Sequence, residues 1–378
     1  TAMVARYKGA GNQKKADEVL RQALLMTFVL GCVFAVIGFI ATPWLIKFMG
    51  ASEDHVLRAG VDYLRIQMIG LPGLALTSAT LRGVGNSKTA MIYNAMANII
   101  NVFFNYMLIY GNFGAPRMEI AGASLATIIG QYCAMFMAFY AVMNGRQYII
   151  LRFRDGFKPN KEEIKKIVDI GAPAMVEQVV MRIGLIIYTR TVAGLGTLPY
   201  AVHQVCMNIQ ALSFMTGQAF AVSATTLMGQ SLGKRRYDMA QAYTSRTRTV
   251  GFLFSLILAA IFVLFGGNIV GLYNSNPEII RIGGHIMLIV AFLQPFQSSQ
   301  FIVAGGLRGA GDTRTTAMIT FVTVLLVRPV FAIILIRMGL GLYGAWYALA
   351  ADQLLRSALV LARYQSGKWK TIRLRNEV

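Results

Sequence analysis

Hydrophobic positions in this chain fall in long unbroken runs. Apolar stretches of about 20 residues or more occupy 20–46, 60–81, 90–110, 120–143, 168–192, 200–228, 249–273, 281–305, 316–338 and 342–364. Each is long enough to cross about 30 Å of hydrocarbon as a helix. They are rich in Gly, Met and Phe, without the period-two alternation of a transmembrane barrel strand. Inside lipid a lone segment satisfies its backbone only as a helix. The pattern therefore predicts ten intact membrane helices.

The cations between these runs set an orientation. Lys and Arg crowd 6–15, 82–88, 146–166, 234–248, 308–314 and 363–375, while the alternate connections hold few, such as Lys47, Arg58, Arg117, Arg281 and Arg337. Every second loop is basic, so the positive-inside rule puts those loops and both chain ends in the cytoplasm of a multi-pass protein of the cell membrane. Composition agrees: 56% of residues are hydrophobic and 14% charged, with mean hydropathy +0.55, far from a soluble domain. The formal net charge of +20 is spread over helix-connecting loops with no recognition fold. It predicts contact with anionic lipid and no nucleic-acid partner. Cys32, Cys133 and Cys206 sit singly inside runs and are expected to be small packing residues.

Part of the chain occurs twice. Leu81-Arg82-Gly83-Val84-Gly85-Asn86-Ser87-Lys88-Thr89 returns as Leu307-Arg308-Gly309-Ala310-Gly311-Asp312-Thr313-Arg314-Thr315. Gly11–Lys15 pairs with Gly233–Arg236, and Gly122-Ala123 with Gly344-Ala345, at nearly the same offset. Six runs separate the two LRG turns, an even number, so the halves insert with the same polarity as parallel repeats. The second half holds six runs and the first only four. The repeat count thus predicts a twelve-helix, all-α polytopic membrane fold of two six-helix lobes, with the first helix and most of the second missing, about 55–60 residues upstream of Thr1. As given, the chain is expected not to transport. The expected organisation is a truncated N-terminal lobe over 1–145, a cytoplasmic linker over 146–166, a C-terminal lobe over 167–364 and a basic tail over 365–378.

An ionisable or strongly polar group in the hydrocarbon is costly unless paired or wet, so each one is a candidate for function. Glu177 lies one turn after Pro173, near the middle of its span; on a helix Met181 and Gly184 share its face, whereas Arg182 points about 140° away. It is either a carboxylate held by a neighbouring helix for packing or a protonatable, cation-binding group. Asn94, Asn98, Asn101 and Asn105 fall within an arc of about 60°. Such a stripe either glues helices by amide hydrogen bonds or lines a cavity where its carbonyls coordinate a hard cation such as Na⁺. His203, with Gln204, is a packing donor or a proton relay. Gln294, Gln297 and Gln300 surround Pro295, an expected kink. Arg328-Pro329 is deep in its span, and Asp352 with Arg356 forms a self-neutralising i, i+4 pair.

No nucleophile stands beside a base, no metal-ligand cluster is spaced for binding, and no phosphate loop follows a strand. Gly83-x-Gly85 and Gly309-x-Gly311 are better taken as close-packing turn residues. An enzyme is not expected, nor any cofactor besides a coupling ion. Taken in order, Ala201-Val202-His203-Gln204, Leu227-Met228-Gly229-Gln230-Ser231-Leu232-Gly233, the doubled LRG turns, Asn101-x-x-x-Asn105-Tyr106 with Tyr110-Gly111, and Gly344-Ala345-Trp346 with Gly367-Lys368-Trp369 resemble the multidrug and toxic compound extrusion (MATE) transporters over the whole chain. The resemblance implies two six-helix lobes about a V-shaped cavity. It implies export of organic cations or other amphiphiles in exchange for Na⁺ or H⁺ by alternating access. It makes Glu177 the seventh-helix acid used for coupling or substrate binding. Asn101 and Asn105 become the fifth-helix pair of a first-lobe cation site. Gln297 stands where some relatives have an aspartate, and the first-helix aspartate would lie upstream of Thr1. A monomer acting on small molecules in the bilayer is expected. The alternatives are a flippase for lipid-linked or polysaccharide substrates, which calls for a strongly cationic cavity, and a non-transporting membrane scaffold, which needs neither Glu177 nor the asparagines.

Overall fold

The computed structural model describes residues 1–48, 54–73, 86–145, 148–151, 156 and 158–372. Among them there is no strand. The helices are α1 Ala2–Gly9, α2 Gln13–Phe48, α3 Asp54–Gly70, α4 Ser87–Tyr110, α5 Glu119–Met143, α6 Lys161–Ala193, α7 Thr197–Gly233, α8 Tyr237–Tyr273, α9 Pro277–Gly309, α10 Thr313–Phe321, α11 Arg328–Leu335 and α12 Gly341–Gln365. Among the described residues, eight helical segments are long and apolar enough to cross a membrane. The longest, 313–365, contains both runs expected at 316–338 and 342–364, because it turns back at Gly339 (φ 89°) and Gly341 (φ 51°). The run expected at 60–81 starts with α3 and a 3₁₀ turn, Leu71–Gly73; its remainder lies outside the described residues. Large side chains such as Phe28, Ile40, Trp44, Leu264 and Met338 are exposed along the spans, as lipid-facing positions require.

Local chemistry explains where helices begin and end. Asn276 caps α9, accepting from the Glu278 amide at 2.9 Å ahead of Pro277 in the first turn. At Gly111 the left-handed φ of 74° closes α4. Between α10 and α11, Val322–Val327 widens into a π-helical stretch just before Pro329. Proline cannot donate the next helical bond and its ring pushes on the preceding turn, so the widened turn accommodates both.

The chain forms two compact units, Met3–Ile167 and Val168–Val378. The first contains α1 to α5. The segment expected to be a cytoplasmic linker is tied to α2: Gln13 donates to the Tyr148 carbonyl (2.8 Å), Asp17 accepts from the Ile150 amide (2.8 Å), and Gln22 spans Lys158 and Asn160 (2.8 and 3.1 Å). The two units divide after Ile167, inside α6. In the second unit α9 packs along α7 and α8, and α12 along α9 and α11. The expected basic tail is partly folded. Trp369 is buried beside Met228, Leu232 and Ala240 and stacks on Tyr364, while 373–378 lie outside the described residues.

The repeat is visible in the turns. Asn86 accepts from the Thr89 hydroxyl at 2.7 Å, and Asp312 from Thr315 at 2.6 Å. Gly122 packs on the Leu108 backbone, and its counterpart Gly344 on that of Leu335. Residues 81–85 of the first LRG turn are outside the described set.

Candidate functional site

The apolar and polar faces of α6 determine what Glu177 meets. Val180, Gly184, Tyr188 and Val192 form the buried stripe that carries Glu177 inward, while Arg182 is exposed. Within that stripe Glu177 is 4% exposed. Its Oε1 accepts from Arg308 Nη2 at 2.5 Å and from the Thr320 hydroxyl at 3.2 Å, and Oε2 accepts from the Thr316 hydroxyl at 3.3 Å. The carboxylate therefore has an arginine partner that helical geometry on α6 did not reveal, and Arg308 is not a loop cation. The last turn of α9 aims it at α6. Glu177 is the central residue of α6 and meets the last turn of α9 and the first turns of α10.

A second buried ionic group adjoins it. Asp352 Oδ2 accepts from Arg328 through Nε (2.9 Å) and Nη2, and from Arg356 Nη2 at 2.6 Å. The expected i, i+4 pair exists, and Arg328 of α11 is added to it. Arg356 Nη1 reaches the Met181 sulfur at 3.4 Å, and Glu177 is near enough to attract the Arg356 charge. Arg328 also lies 5.5 Å from the Tyr188 ring centre, within cation–π range. Asp352 Oδ1 and Arg356 Nε are buried without a hydrogen-bond partner among the described residues. Three guanidiniums and two carboxylates thus occupy one interior region, where an unpaired charge would be prohibitively costly.

The remaining predicted residues are distributed elsewhere. His203 is buried between Tyr188 and Trp346, at 5.4 and 5.7 Å between ring centres, and Tyr188 donates to the Ala345 carbonyl at 2.8 Å. His203 belongs to this aromatic wall rather than to the Glu177 shell. Gln297 lines a different, small crevice of mixed character with Gln294, Ser213, Ser298, Phe254 and Phe301; the Ser213 hydroxyl donates to Gln294, and neither amide atom of Gln297 has a partner among the described residues. In the first unit Asn105 donates to Asn101 Oδ1 at 3.0 Å, and Asn101 donates to the Thr127 hydroxyl of α5 at 3.3 Å. Asn105 Oδ1 and Gln131 Oε1 are buried without a partner among the described residues. Asn94 and Asn98 are exposed, so the four-asparagine stripe divides into a packed pair and an exposed pair.

Sequence reasoning missed Arg308, Thr316, Thr320 and Thr127. Thr316 and Thr320 carried a signal, two hydroxyls four residues apart on one helix face. Arg308 carried one too, as the charged residue of a repeated turn.

A family model described as MatE matches residues 1–107 and 173–334, more than half of the chain. The chain is 28% identical over 375 residues, 98% of its own length and 80% of the relative's, to a probable multidrug resistance protein NorM of Thermotoga maritima. It is 28% identical over 326 residues, 85% of this chain and 71% of the relative, to the multidrug resistance protein MdtK of Yersinia pestis. Among solved structures, the outward-facing conformation of a multidrug resistance MATE family transporter of the MOP superfamily superposes with a TM-score of 0.89 at 21% identity, covering 98% of this chain and 83% of that one.

Proposed function

We propose, from the premise that this chain belongs to the MatE family of membrane transporters, that it is a secondary antiporter. It exports organic cations or amphiphilic drugs in exchange for Na⁺ or H⁺ by alternating access. Relatives named for multidrug resistance support the drug-export part, and such a protein is a transporter rather than an enzyme. The observation that carries the coupling part is Glu177, a buried carboxylate flanked by two threonine hydroxyls. Carboxylate and hydroxyl oxygens are ligands for a hard monovalent cation, and the same carboxylate can take a proton instead. In the first lobe Asn101, Asn105 and Thr127 supply neutral oxygens, two buried amide oxygens nearby being unpartnered. Each lobe then has a place for a cation.

Exchange requires that the ion and the drug stabilise different states of the lobes, since a ligand shifts an equilibrium only by its differential affinity. The test is efflux of a fluorescent organic cation from proteoliposomes with Na⁺ and proton gradients imposed separately. One gradient should drive efflux. Glu177→Gln should insert and fold but lose that dependence. Wild-type rates and ion dependence in the variant would remove Glu177 from the coupling site.

A further inference from the structure

We infer that Arg308 is a tethered competitor for the cation site at Glu177: its guanidinium occupies the carboxylate whenever a coupling or transported cation does not. The inference rests on Glu177 being that site.

The second LRG turn assigns a structural task to every neighbour of Arg308. Leu307 is fully buried in the core of the lobe. Gly309 lets α9 approach α7, since a Cβ there would lie 2.9 Å from the Thr225 Cα. Gly311 supplies a φ of 90°, and Asp312 binds Thr315 and, at 2.7 Å, Arg363. Arg308 joins the turn only through its backbone, whose carbonyl accepts from the Gly311 amide at 3.1 Å. Its side chain leaves it to reach across 131 residues of sequence to Glu177.

The three arginines of this region differ in how firmly they are held. Arg356 is 2% exposed at its side chain and Arg328 7%, both on Asp352, whereas Arg308 is 22% exposed and donates through one nitrogen. A guanidinium that keeps contact with solvent regains hydration when it lets go; one sealed against a buried carboxylate does not. Arg308 is the releasable member. When it withdraws, Glu177 retains Thr316 and Thr320, an oxygen shell that a small cation can enter. The swap conserves charge: one cation leaves the carboxylate, another arrives, and Asp352 with its two arginines is undisturbed.

The apparent affinity of the ion is then reduced by the fraction of time Arg308 holds the carboxylate. Thermal stability of the purified protein is titrated with Na⁺ at fixed pH and with protons without Na⁺, in wild type, Glu177→Gln, Arg308→Gln, Arg308→Lys and the double variant. The titration that Glu177→Gln abolishes reports the site. In Arg308→Gln the concentration of that ion giving half-maximal stabilisation should fall roughly tenfold, if Arg308 holds the site about nine-tenths of the time. Arg308→Lys, which keeps the charge but loses the planar fork, should fall between, and the gain should vanish in the double variant. A merely structural ion pair would lower stability in Arg308→Gln and leave the midpoint unmoved, which would overturn the proposal. If Glu177→Gln abolishes neither titration, the coupling reading itself fails, whatever Arg308 does.

Discussion

Asp352 shows how a single residue can hold a membrane interior together. One of its oxygens receives two guanidiniums, from Arg328 on α11 and from Arg356 one turn along α12. Asp352→Asn removes the charge but keeps the shape, leaving both arginines buried without a counter-charge. Breaking a buried pair in this way costs about 3–5 kcal/mol. The variant should therefore unfold at markedly lower denaturant, while Asp352→Asn combined with Arg328→Met and Arg356→Met should recover a large part of the loss. Equal stability of wild type and the single variant would exclude a structural role for the pair. At this scale sequence was informative about which residues matter. A carboxylate or arginine inside an apolar run is conspicuous, and Glu177, Arg328, Asp352 and Arg356 all stood out. Their partners were legible only when they lay on the same helix. Arg356 was found from Asp352 because i, i+4 geometry is local, whereas Arg308 was not found from Glu177 because 131 residues and two intervening helices separate them.

Helices pack in lipid without a hydrophobic driving force between them, so close approach of backbones carries much of the association. Along α9 this role falls to Gly305, whose Cα lies so near α7 that a Cβ would meet the Ala221 backbone at 2.9 Å. Backbone cannot rotate out of the way as a side chain does. Gly305→Val should cost at least the 1–3 kcal/mol typical of overpacking, seen as a lower melting temperature in detergent, whereas Gly171→Ala, with open space around its Cα, should be close to neutral. Matching losses at the two positions would contradict the packing account. Helix positions were legible in the apolar runs, but their lengths were not. α6 starts at Lys161 and α7 ends at Gly233, well outside the apolar windows, since a helix continues into water wherever its polar turns find partners.

Duplication lets the two lobes be compared residue for residue. Seven residues before Leu108 stands Asn101, and seven before Leu335 stands Arg328; eight after Gly122 stands Gly130, and eight after Gly344 stands Asp352. The second lobe fills this equivalent spot with a guanidinium on a carboxylate, the first with a neutral amide against a glycine. One lobe carries its own cation there, and the other leaves oxygens without partners among the described residues. Replacing both Asn101 and Asn105 with Ala should then remove the first-lobe share of stabilisation by the coupling ion while expression stays normal, a loss read as a smaller thermal-shift amplitude that leaves the Glu177-dependent part in place. Stabilisation equal to wild type would assign the pair to packing alone.

The apolar runs, the alternation of basic loops and the doubled LRG turn were sufficient to derive a helical membrane protein with an internal repeat. These are properties of transfer into lipid and of local spacing, so they are written along the chain. What the tertiary structure decided is which buried polar groups meet. It paired Glu177 with Arg308, gave Asp352 a second arginine, divided Asn101 and Asn105 from Asn94 and Asn98, set His203 in an aromatic wall, and tied the polar stretch before α6 to α2. Each outcome depends on contacts between helices distant in sequence. In a low-dielectric interior those contacts determine whether a charge is compensated, and hence whether it can bind anything else.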